Sequence, residues 1–114
     1  MPTVELARAI HQLLQRAPES RLPMTYQQVA QALGLAPPRT IQRVAQALEQ
    51  LMREDVAASR PMVAALVVSR RGDAMPAAGF FELAVALGRF PNDPSRHKSA
   101  YQAEYAQALA ARSA

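Results

Sequence analysis

The sequence contains no cysteine, which excludes disulfides, thiolate nucleophiles, zinc fingers and iron–sulfur ligation. Histidine occurs only at His11 and His97, a separation that offers no metal-ligand spacing. The glycines are isolated and form no phosphate-cradling loop; they are Gly34, Gly72, Gly79 and Gly88. Adjacent carboxylates at Glu54 and Asp55 point in different directions on a helix, which disfavours paired acid–base work. We therefore expect no enzymatic activity, no cofactor and no metal.

Long apolar runs are also missing. No stretch approaches the roughly 18 uninterrupted apolar residues of a membrane-spanning helix. The first ten residues, MPTVELARAI, lack the basic start and apolar run of a signal peptide. The default expectation is a cytoplasmic bacterial protein without a membrane partner. Its 114 residues suit one domain, and 50% hydrophobic content with 5% aromatics predicts a core packed through small side chains.

Basic residues outnumber acidic ones by 13 to 9, which gives a net charge of +4. Lysine occurs once, at Lys98, so the positive charge is carried almost entirely by arginine. Arginine forks suit phosphates and base edges, and a polyanion such as DNA is a plausible partner. An Arg- and Ala-rich composition is equally typical of a GC-rich genome.

Hydrophobic spacing predicts three helices in the first half of the chain. Thr3 can cap the first, which ends near Arg16 or Ala17, with an apolar stripe at Val4, Ala7, Ile10 and Leu14. Thr25 and Gln28 form a capping-box pattern for the second. Gly34 stands where a helix C-cap favours a left-handed residue, and the prolines of APPRT prevent the second helix from continuing.

The third helix, residues 40–53 with Thr40 as its cap, has two unlike faces. Apolar residues recur at helical spacing on one face: Ile41, Val44, Ala45, Leu48, Leu51 and Met52. Amide and guanidinium groups line the other: Gln42, Arg43, Gln46, Gln50 and Arg53. The apolar run Met62–Ser69 then predicts a buried strand, and RRGDAMP predicts a turn or wing.

Two helices joined by a tight corner, with one helix ahead and a strand and turn behind, predict a winged helix-turn-helix. We expect a mainly α fold: one domain over 1–114, with its core at 3–75 and extra C-terminal helices at 79–112. The last helix, about Ser95 to Ala111, carries Tyr101 and Tyr105 on one face. We expect that face to serve core packing or a homodimer through this helix rather than base stacking.

The function expected from this scaffold is non-enzymatic DNA binding with the third helix as the reading element. Glutamine pairs with adenine edges, and arginine pairs with guanine or phosphate. We expect base contacts from Gln42, Arg43, Gln46 and Gln50, and phosphate contacts from Arg39, Arg70 and Arg71. The alternative is a protein-interaction or adaptor module, because helix-turn-helix shapes also dock proteins and Glu49, Glu54 and Asp55 would repel phosphates.

The run PMTYQQVAQALGL…PPRTIQRVAQAL, about Pro23 to Leu48, resembles the winged-helix domain of DNA alkyltransferases and their alkyltransferase-like relatives. The resemblance implies a helix that enters the DNA minor groove. It also implies that Tyr26 braces the phosphate of a rotated nucleotide. Val44 and Ala45 match the family's Val-Gly pair, with alanine in place of glycine, while Gln42 replaces its intercalating arginine.

The reactive motif of that family, Pro-Cys-His-Arg or Pro-Trp-His-Arg, is absent, and the corresponding region reads MVAALVV. Alkyl transfer is excluded because the methyl acceptor is an activated thiolate. The resemblance therefore implies a shared scaffold and a shared DNA surface, without the reaction.

Overall fold

The computed structural model describes residues 2–70 and 73–112. Within them the chain is mainly helical and has one two-stranded sheet, which confirms the predicted class. The helices and strands, in order, are α1 (Thr3–Arg16), β1 (Met24–Thr25), α2 (Tyr26–Ala32), α3 (Thr40–Ala57), β2 (Val67–Val68), α4 (Ala78–Ala86) and α5 (His97–Ala110). Short 3-10 turns lie at Glu19–Arg21, Val63–Leu66 and Pro94–Arg96. None of the helices in these residues has the length and apolar character needed to cross a membrane.

The first three helices close the core as predicted, with α1 and α2 both packed on α3. Ile10, Val29 and Val44 are completely buried where they meet. One residue of the predicted α1 stripe departs from it, because Val4 is 58% exposed. Val4 lies in the first turn of α1 and lines an open groove beside Leu51 of α3, so no described residue covers it.

Local sequence signals set the ends of α2. The capping box is present, with the Gln28 N–H donating to Thr25 Oγ1 at 3.1 Å and the Thr25 N–H donating to Gln28 Oε1 at 2.9 Å. Gly34 adopts the left-handed conformation at φ 65°, also as predicted. Both predictions are confirmed. They could be made from the sequence because each depends only on neighbouring residues.

The predicted threonine caps of α1 and α3 are wrong by one residue. Thr3 and Thr40 are the first helical residues, and the caps are Pro2 and Arg39, without a side-chain hydrogen bond. A capping hydroxyl acts from a residue that is not yet helical. Arg39, at φ 58°, makes the turn into α3 itself, so Thr40 is already inside the helix.

Half of the predicted strand Met62–Ser69 is a 3-10 turn, Val63–Leu66, and only Val67–Val68 is a strand. Residues 62–68 are all buried. A short buried run has no periodicity that separates a strand from a buried turn, which explains the error. β2 pairs in parallel with β1, Met24 opposite Val67 and Thr25 opposite Val68, and so joins the segment after α3 to the start of α2.

The segment predicted as a wing follows β2. Ser69 N–H donates to the Met75 carbonyl at 2.9 Å and closes this loop. Arg71 and Gly72 lie outside the described residues, so the winged type of the fold stays a prediction.

α5 completes the core by packing on the 3-10 turn at Val63–Leu66. Tyr101 is 5% exposed, and its hydroxyl donates to the Ala65 carbonyl at 2.8 Å. Its ring lies edge-on to Phe80, with centroids 6.0 Å apart. The expected core role of the tyrosine face is confirmed for Tyr101, while Tyr105 is half-buried.

Candidate nucleic-acid interface

The outer face of α3 carries the side chains predicted to read DNA. Arg39, Gln42 and Gln46 are exposed, and Arg43 and Gln50 are half-buried. The opposite face buries Val44 and Leu48 in the core. The helix is therefore held from behind by apolar contacts, and Arg39, Gln42 and Gln46 on its polar face are left exposed.

The start of α3 favours an anion. Arg39 precedes the first turn in a left-handed conformation, and no side chain caps that turn. The first amides of a helix lack intrahelical acceptors and carry a partial positive charge. The exposed Arg39 guanidinium adds a full positive charge at the same end. Backbone amides and guanidinium together suit a phosphate oxygen.

Two of the predicted reading residues have partners within the chain. The Arg43 guanidinium donates to the Ala36 carbonyl at 3.2 Å and ties α3 to the corner that precedes it. The Gln50 side-chain amide donates to Glu54 Oε2 at 2.7 Å. By contrast, Gln42 and Gln46 make no side-chain hydrogen bond to any described residue.

Charge is distributed unevenly along α3. Its C-terminal half carries Glu49, Glu54 and the buried Asp55, and Glu49 lies 3.9 Å from Arg53, one turn further on. No acidic residue occurs from Ser20 to Leu48, a stretch that includes α2 and the first half of α3. The carboxylates expected to repel phosphate are therefore confined to the far half of the helix.

The residues from Ser20 to Leu48, called the acid-free stretch below, include α2 as well as the first half of α3. Sequence reasoning missed this connection of α2 with α3. Arg21, Gln28 and Gln31 are exposed there and line an open groove of about 610 Å³. The signal that points to them is the run of 29 residues without Asp or Glu, which is visible in the sequence but not in any single motif.

Tyr26 does not fit the role that the resemblance implied. It is 8% exposed, and its hydroxyl accepts a hydrogen bond from the Ala77 N–H at 3.0 Å. Burial raises the pKa of this hydroxyl above its ordinary value. The Ala77 hydrogen bond offsets part of that rise, and the nearby Glu49 carboxylate adds to it. Bracing a nucleotide phosphate would require the side chain to leave the core. The structure gives Tyr26 a structural role, tying α2 to the segment before α4.

The two predicted wing arginines differ in what the structure describes. Arg70 is exposed directly after Ser69, which follows β2, and makes no hydrogen bond or ion pair with any described residue. Arg71 lies outside the described residues.

The other polar groups serve the fold. Among residues 2–70 and 73–112, no three His, Asp or Glu side chains come together as a metal site. His97 stacks on Phe81 with ring centroids 5.5 Å apart, and its Nε2 lies 2.8 Å from the Pro91 carbonyl oxygen. The buried Asp55 carboxylate accepts from the Val63 N–H and from Arg60, each at 3.0 Å.

The chain matches no protein-family model, and it matches neither a curated protein nor a solved structure. The functional argument therefore depends on the surface just described.

Proposed function

We propose that this protein binds double-stranded DNA without acting on it chemically, as a winged helix-turn-helix whose reading element is α3. One observation carries the proposal. The outer face of the first half of α3 carries exposed polar side chains and no carboxylate, and the helix begins beside an exposed arginine at uncapped amides. Helix-turn-helix proteins place this end of the second motif helix against the bases.

The arrangement of the helices supports the same proposal. α2 and α3 are joined by a corner of seven residues, 33–39, and α1 packs behind α3. β2 and the loop closed by Ser69 and Met75 follow α3, where a winged domain has its strand and wing. The resemblance to the alkyltransferase winged-helix domain is part of this proposal as a shared scaffold only.

The positions of the aromatic side chains favour duplex over single-stranded nucleic acid. Single-strand binders stack bases on exposed aromatic rings. All six aromatic residues of this chain are buried or half-buried. They are Tyr26, Phe80, Phe81, Phe90, Tyr101 and Tyr105. A duplex, whose phosphates and base edges are accessible without stacking, suits this surface better.

Salt dependence tests the proposal. We expect the protein to bind short mixed-sequence duplexes with an affinity that falls steeply between about 50 and 200 mM salt. Arg39→Gln should weaken binding to all duplexes and reduce the log–log salt slope by about 0.9, the contribution of one phosphate contact. Arg96→Gln, which removes one charge from an exposed position outside the acid-free stretch, is the matched control. Equal affinities and slopes for the two variants would contradict a phosphate contact at Arg39.

A protein-docking role is the second candidate, and one observation favours it. Ile41, beside Gln42 on α3, is 37% exposed. An apolar side chain in this position suits a protein partner. This role predicts weak DNA retention that does not change with salt, so the same titration separates the two functions.

A further inference from the structure

The hydrogen bonds along α3 divide its polar row into occupied and available side chains. The Arg43 guanidinium is turned back to the Ala36 carbonyl, 3.2 Å away. The Gln50 amide is turned along the helix to Glu54, 2.7 Å away. Gln42 and Gln46 are exposed and have no side-chain partner among the described residues. The side chains available to a base are therefore the two glutamines.

A glutamine amide is selective among bases because it presents one acceptor and two donors side by side. Adenine offers the matching acceptor N7 and donor N6 in the major groove, whereas guanine offers two acceptors, N7 and O6. Arginine is the side chain that matches guanine. Arg43, which lies between the two glutamines, is held by the Ala36 carbonyl, and Arg53, further along the same face, lies 3.9 Å from Glu49. The available face thus fits adenine and lacks the group that fits guanine.

The spacing of the two glutamines fits base pairs about two steps apart. Residues four apart lie on one side of a helix and are separated by about 6 Å along its axis. Stacked bases are about 3.4 Å apart, so the two amides span about two base-pair steps. Arg39 lies three residues before Gln42, at the N-terminus of α3. From this position we expect its guanidinium to contact a phosphate at the edge of the groove.

We infer that Gln42 and Gln46 read adenines in the major groove, with Arg39 holding a flanking phosphate, so that the DNA site contains two A·T pairs about two steps apart. This inference rests on the proposed DNA-binding function. It differs from the minor-groove contact that the resemblance implies, because the adenine N7 and N6 are accessible only in the major groove.

The first experiment is a binding selection from short duplexes with a randomised centre, followed by affinity measurements on an enriched duplex. Gln42→Ala and Gln46→Ala should each weaken binding to that duplex by about fivefold to a hundredfold, the range expected for one bidentate base contact. Gln12→Ala, an exposed glutamine on α1, is the control and should bind like the unaltered protein. Circular dichroism of each variant verifies folding.

The second experiment probes the groove directly. Replacing the enriched adenines by 7-deazaadenine removes the N7 acceptor and leaves base pairing and the minor groove unchanged. We expect the unaltered protein to lose affinity by a similar factor, and Gln42→Ala and Gln46→Ala to lose less, since each has already lost one contact. Gln46→Arg should shift the preferred base at one position from adenine to guanine.

The outcomes separate the inference from the function on which it rests. DNA binding without enrichment of adenine, or with equal affinity for adenine and 7-deazaadenine duplexes, would overturn the inference and leave the proposed function intact. Absence of binding to any duplex in low salt would overturn both. Adenine enrichment that is lost with Gln42→Ala or Gln46→Ala and with 7-deazaadenine supports the inference.

Discussion

Replacing Glu104 by alanine should destabilise the protein more than any other single carboxylate removal on α4 or α5. Glu104 is 5% exposed on α5, and its Oε2 accepts two hydrogen bonds. The Met62 N–H donates from 2.7 Å and the Arg89 guanidinium from 2.8 Å. Arg89 also donates to the Arg60 carbonyl at 3.0 Å. One carboxylate oxygen thus joins α5 to the segment after α3 and to the chain after α4.

The magnitude follows from the two donors that lose their acceptor. A buried N–H left without a partner costs about 1–3 kcal/mol, and Met62 is fully buried. The Arg89 side chain is 22% exposed, so water compensates part of its loss, and we assign it about 1 kcal/mol. Glu104→Ala should therefore lower the free energy of unfolding by about 3 kcal/mol and the Tm by about 12 °C. Glu104→Gln keeps an acceptor oxygen for one donor and should lose about 1 kcal/mol.

Urea unfolding followed by circular dichroism measures these differences from the midpoint and the m-value. Glu82→Ala is the matched control, because Glu82 is exposed on α4 and has no hydrogen bond or ion pair with any described residue. Its effect should lie within about 0.5 kcal/mol of zero. A double-mutant cycle with Arg89→Ala isolates the pair. If Glu104→Ala unfolds at the same urea concentration as Glu82→Ala, the carboxylate does not hold these segments together.

Three further substitutions test other parts of the fold. Tyr26→Phe removes the acceptor of the Ala77 N–H and should cost about 1 kcal/mol in urea unfolding, with the salt slope of DNA binding unchanged. Burial raises the pKa of the Tyr101 hydroxyl above the ordinary value of 10.0, so the unfolded state loses this proton first. The contribution of Tyr101 to the free energy of unfolding should be full below about pH 10 and fall at higher pH. Tyr101→Phe should flatten that fall in Tm measurements, although this variant also loses the hydrogen bond to the Ala65 carbonyl. In Gly34→Ala the added Cβ meets no atom within 4 Å, but the alanine must adopt a φ of 65°. The Tm of this variant should therefore drop by the equivalent of about 1 kcal/mol.

The parts of the fold that the sequence predicts are those set by neighbouring residues. Thr25 and Gln28 are three positions apart, and their reciprocal hydrogen bonds form as soon as the helix begins. The left-handed Gly34 and the two faces of α3 likewise follow from residue type and helical spacing. The exposure of Gln42 and Gln46 follows from the same periodicity.

The errors arise where distant segments decide the outcome. Tyr26 bonds to Ala77, 51 residues further on, so a tyrosine expected at the DNA surface lies in the core. Residues 63–66 form a 3-10 turn that packs against both α3 and α5, whereas their composition favours a strand. Neither contact leaves a periodic signal in the sequence, since each depends on how separate elements pack.

In the candidate site, some features of α3 follow from helical periodicity and others from a contact outside the helix. Periodicity puts Gln42, Arg43 and Gln46 on the outer side of α3 and makes them equivalent candidates for base contact. The corner distinguishes them, because the Ala36 carbonyl lies within reach of Arg43, and that hydrogen bond removes the guanine-matching side chain from the row. Under the proposed DNA-binding function, base preference would therefore depend on a backbone carbonyl seven residues earlier as much as on the helix. A substitution that moves that carbonyl away would release the guanidinium and should broaden the preference toward guanine, even though no reading residue has changed.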